Sequence, residues 1–123
     1  MKKVVALAIF VLIAAGAFAQ DAAFGSGQWL ENMREGAQRI RSGTNNIVDY
    51  VNASIFRGFV GGIVQTGTLE DWFAIPDGVK SAQNEAVVGQ FLEAHPELWN
   101  GPAAAIVIAA IYKVWPGKKN PGS

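Results

Sequence analysis

The chain has 123 residues, half of them hydrophobic, with ten basic and ten acidic side chains, one histidine and no cysteine. That length supports one small core, and the balanced charge gives no basic stripe for a nucleic-acid backbone. Thiolate chemistry and sites built on several histidines are excluded by the same inventory.

The chain opens with Lys2 and Lys3, an apolar run over 4–18 and the small-x-small triplet Ala17-Phe18-Ala19. This order reads as a signal peptide, residues 1–19, cleaved before Gln20. The run is broken by Gly16 and is shorter than the roughly 20 residues that span a bilayer, so a cleaved leader is preferred to an anchor. The expected location is the periplasm of a bacterium, and the processed chain, without Lys2 and Lys3, is slightly acidic. A small exported domain without disulfides must rely on packing, on a partner subunit, or on both.

Residues 20–116 read as an all-α domain, a small four-helix bundle. In the first helix, Ser26 to Arg41, Trp29, Leu30, Met33, Ala37 and Ile40 share one face. Glu31, Arg34, Glu35, Gln38 and Arg39 lie elsewhere on it. Ser26 suits the N-cap and Gly43 the stop. The second helix, Thr44 to Thr66, presents Ile47, Val48, Val51, Ile55, Gly58, Phe59 and Gly62 as one stripe. Its glycines predict close approach of another helix. The sequon Asn52-Ala53-Ser54 is read as chance, and Asp49, Asn52, Arg57 and Gln65 argue against a membrane span.

A turn region follows over 68–80, marked by Pro76-Asp77-Gly78. Ser81 is expected to cap a third helix with Val87, Val88, Phe91 and Leu92 inward, ended by Pro96. Gly101-Pro102 opens a fourth, Ala103 to Trp115, apolar nearly all round. That helix is expected either at the buried centre of the bundle or partly in a subunit interface. The tail, 117–123, is polar and rich in proline and glycine, and is expected to be disordered.

The one histidine, His95, follows Phe91 by four residues and Leu92 by three. At the last turn of the third helix it is placed to bond terminal carbonyls, a structural role. Neither Glu70 with Asp71 nor Glu93 with Glu97 has a spacing that by itself holds two acids across a substrate. No catalytic group, metal or cofactor is assigned. Trp29 belongs to an apolar stripe. Trp72 and Trp99 stand beside loops next to acidic residues, either as interface aromatics or folded back over the core.

"WFAIPDGV" before a helix, "FLEAHPELW", an alanine-rich helix closing in "VWP", and the earlier "RGFVGGI" together resemble the Rap/Tai family of type VI secretion immunity proteins. The resemblance implies a small, exported, all-helical protein, dimeric in studied cases, that binds and blocks a secreted peptidoglycan amidase effector. It implies occlusion by the loop between the last two helices, His95 to Gly101, with Glu97, Leu98, Trp99 and Asn100 as partner-binding residues. The family's four cysteines correspond by the same resemblance to Met33, Phe56, Ala74 and Gly117. Met33 and Phe56 would replace a bridge with packing, whereas Ala74 and Gly117 leave one out. The alternative class is a small periplasmic helical chaperone or assembly factor without a dedicated toxin. A hydrolase would need turnover that depends on Glu70 or Glu97.

Overall fold

The computed structural model describes residues 23–43 and 46–122; the expected signal peptide lies outside them. Four helices make up the fold: α1 Gly27–Arg41, α2 Ile47–Leu69, α3 Ser81–Ala94 and α4 Ala103–Val114. A short 3-10 turn, Pro96–Leu98, joins the last two. Among the described residues there is no strand, only two isolated bridges, Ser26 with Pro102 and Phe73 with Pro116.

α1 starts as its sequence dictates, with the Ser26 hydroxyl accepting the Trp29 N–H at 3.1 Å. Trp29, Leu30, Met33 and Ala37 are buried as the periodicity requires. Glu31, Asn32 and Arg34 are buried as well, which corrects the expectation of an outer polar face. The reason is mutual neutralisation. Arg34 makes a paired contact to Glu31, Nε to Oε2 at 2.7 Å and Nη2 to Oε1 at 2.6 Å, and its Nη2 reaches Glu93 of α3 at 3.0 Å. A fork of this kind satisfies donors and acceptors that burial would otherwise leave costly. α1 is therefore the central helix.

α4 does not take that place. It buries Ala103, Ile106, Val107, Ala110 and Ile111 but leaves Ala104, Ala105 and Ala109 exposed. Small side chains cost little when exposed, so near-continuous apolarity did not force the helix inward.

α2 begins and ends about one helical turn later than the expected span of Thr44 to Thr66, with Asn46 as N-cap accepting the Val48 N–H at 2.8 Å. Its buried face is Asp49, Asn52, Phe56, Val60 and Gly67. The expected stripe is thus rotated by about one residue: Val48, Val51, Ile55 and Phe59 flank the core, and Ile47 is 76% exposed. Two contacts with α1 set the rotation. Arg39 Nε lies 3.0 Å from both carboxylate oxygens of Asp49, and Gly36 leaves the space that Asn52 fills, since a Cβ there would lie 2.7 Å from the Asn52 Cβ. Gly58 and Gly62 face open space, so the close approach expected of them is not made. By length and composition alone α2 could cross a membrane, but Asp49 and Asn52 lie on its core-facing side.

α3 is capped at Lys80 rather than Ser81, with the Gln83 side chain accepting the Lys80 N–H at 2.8 Å. Val88 and Leu92 are fully buried, while Val87 and Phe91 cover the edge of the core. After α4 the chain pairs with the segment following α2. Ala74 donates to Trp115 at 3.0 Å, Gly117 to Trp72 at 2.7 Å and Lys119 to Asp71 at 2.9 Å. The first residues of the expected disordered tail are therefore held by the main chain.

The positions matched to the family's cysteines fall into two settings. Met33 and Phe56 are both fully buried in the core that α1 and α2 share, and Ala74 and Gly117 lie on the two paired segments. Burial of side chains of this size stabilises by about 1.5–3 kcal/mol each. At the positions for which the resemblance implied bridges, the first two residues are buried apolar side chains and the other two lie on segments joined by main-chain bonds.

Candidate functional site: the loop between α3 and α4

Pro96 cannot continue α3, so the helix stops and His95 takes the C-cap with φ −130° and ψ 58°. The loop then folds on itself: Leu98 N–H donates to His95 at 3.0 Å, Trp99 N–H to Pro96 at 3.2 Å, and Gly101 N–H to Leu98 at 2.9 Å. A second set of bonds ties it to the residues that open α1. Gly27 N–H donates to the Gly101 carbonyl and Gln28 N–H to the Trp99 carbonyl, both at 2.9 Å, and Ala103 N–H donates to Gly25 at 2.7 Å. A Cβ on Gly27 would lie 2.7 Å from the Trp99 Cα, so glycine is what lets these segments touch. Gly27 and Gln28 are part of the loop's support that sequence reasoning missed, because no local pattern announces a clasp across more than seventy residues.

The four residues implied as partner-binding are brought together but face differently. Glu97, Leu98 and Asn100 are exposed on the outer side. Trp99 is half-buried, and its Nε1–H donates to the Leu92 carbonyl at 2.9 Å. That indole, and not the His95 ring, is the side chain on this terminal carbonyl of α3, which His95 reaches only through its backbone N–H at 3.3 Å; this corrects the bonding expected of the histidine side chain. The His95 ring instead packs on Phe91, centroids 4.3 Å apart, and its Nδ1 lies 2.9 Å from Glu97 Oε1. The His95 ring N–H, followed by its own backbone amide, holds the Glu97 carboxyl below the usual carboxylate range. Beside the tip, Leu98, Gly101, Pro102, Ala105, Ile106 and Ala109 line an apolar groove.

Trp72 also folds back, half-buried and edge-on to Phe73. Glu93 is committed to Arg34 and Glu97 to His95, so the two acids do not face a common point. Among the described residues no group of three or more histidine or acidic side chains is arranged to hold a metal.

A four-helix core with an exposed loop tip pinned from behind defines a small all-helical domain. The family model of Rap1a immunity proteins matches residues 26–117, and the chain belongs to that family. No curated protein and no solved structure matches it. The matched span runs from the cap of α1 to the segment paired behind α4, and so includes both sides of the clasp.

Proposed function

We propose that this chain is exported to the periplasm and protects its cell by binding a type VI secretion effector that cleaves peptidoglycan as an amidase. Blockade is steric and involves no catalysis by this chain: the loop between α3 and α4 enters the effector's cleft, with Glu97, Leu98 and Asn100 meeting the cleft and Trp99 holding the loop in shape. The observation that carries this reading is the loop's construction. Its tip is exposed while its backbone is bonded to the opening of α1, so the shape presented to a partner exists before binding, and little ordering is needed on association.

Homodimerisation is part of the same reading. α2 offers the surface for it, because Ile47 and Leu69 are exposed at 76% and 85% and the glycines at 58, 61 and 62 meet nothing. A face of this kind allows two helices to approach closely.

The test is inhibition, not capture alone. The exported chain, purified with and without Leu98→Arg, is used to retain proteins from the source organism's secreted fraction, and retained proteins are assayed on peptidoglycan. Immunity requires an amidase whose turnover falls to zero at a stoichiometric amount of wild-type chain and is restored with Leu98→Arg. Retention of many unrelated proteins, or of an amidase that remains active, overturns the proposal.

A further inference from the structure

We propose that His95 is a positioning residue that fixes the Glu97 carboxylate at the loop tip as a preset acceptor for a cationic or amide donor on the protein partner. The inference rests on the occlusion reading and specifies what the partner must present.

The geometry separates the two residues' tasks. The His95 ring is held in place by Phe91 and lies in a groove between α3 and α4 whose walls include Val87, Ala94, Ala110 and Val114. The Glu97 side chain is 63% exposed, and Pro96 between them restricts the backbone that brings the pair to 2.9 Å. An ionised carboxylate only accepts, so the shared proton sits on Nδ1 and the bond fixes the ring's tautomer. A carboxylate has about four acceptor directions, so one bond to the ring leaves others for a partner. A free glutamate loses rotamer freedom when a partner engages it, whereas this one is already oriented.

Two charged groups stand near the pair. Glu93 on α3 is bonded to Arg34 of α1, and Lys113 of α4 lines the same groove as His95. The depressed Glu97 carboxyl gives the pH sign. Its folded-state interaction is complete above the ordinary carboxylate range and is lost as pH falls through the lowered value.

The test has two readouts on the full exported chain. By carbon-detected NMR, the Glu97 carboxyl of the free protein should titrate below the ordinary range. Its midpoint should rise in His95→Phe, which keeps the stacking on Phe91, and fall again in His95→Asn, which restores a donor. With the inhibited amidase as partner, Glu97→Gln and His95→Phe should each weaken binding roughly tenfold, and the double variant no further. His95→Asn should recover most of the loss. An unmoved Glu97 midpoint in His95→Phe overturns the positioning role, as do losses that simply add. If Leu98→Arg breaks binding while Glu97→Gln does not, this proposal falls and occlusion stands. If no amidase is inhibited, both fall, whatever the NMR titration shows.

Discussion

The indole of Trp99 donates to the carbonyl of Leu92 at 2.9 Å, so an aromatic that would pass for an interface anchor is a clasp on the end of α3. Trp99→Ala should therefore cost stability as well as binding, about 2–3 kcal/mol for a half-buried ring with one hydrogen bond. Trp99→Phe should cost about 1 kcal/mol, chiefly the bond. Urea unfolding followed by circular dichroism measures both. Leu98→Arg and Asn100→Ala, at exposed positions, should change stability by less than about 0.5 kcal/mol.

Gly27→Val should displace the loop without touching its tip. The added carbons would meet the Trp99 main chain and the Ile106 side chain, at a cost of about 1–3 kcal/mol. Hydrogen exchange is the direct check: the Gln28 and Ala103 amides, which donate across the clasp, should lose protection in the variant while amides in the middle of α2 keep theirs.

The buried ion group should behave unequally when broken and when replaced. Arg34→Ala leaves Glu31 buried without its partner and should destabilise by about 3–5 kcal/mol. Changing both, Glu31→Leu with Arg34→Met, should recover most of that loss in the same unfolding assay. Equal costs for the single and the double variant would contradict the pairing.

Placing cysteines at Ala74 and Gly117 should not stabilise this chain even after oxidation. A Cβ at 117 would run into the main chain of Asp71, Trp72 and Phe73, breaking the pairing that holds the end of α4. A lower thermal midpoint for oxidised Ala74→Cys/Gly117→Cys than for wild type is the expected result.

Gly62→Arg should separate self-association from folding. Nothing lies within 4 Å of a Cβ added at that position, so the helix signal should be unchanged while the proposed dimer should sediment as a monomer. A dimer that survives Gly62→Arg would move the interface away from this face of α2.

Helix positions and breaks were legible in the sequence because they are local. Ser26 caps α1, the Pro76-Asp77-Gly78 turn precedes α3, and Pro96 ends it, each through geometry confined to a few residues. The family was legible too, in short runs such as "FLEAHPELW". The rotation of α2, the burial of Glu31 and Arg34 and the inward turn of Trp99 were decided only by tertiary structure. Apolar periodicity gives a helix face to within about a residue, but Arg39 with Asp49 and Gly36 with Asn52 select among nearby rotations. A charged pair can be buried only when partners from separate elements meet, and those partners are distant in the chain. The loop follows the same rule: its residues were named by position, while its shape is set by Gly27 and Gln28, brought beside it only by folding.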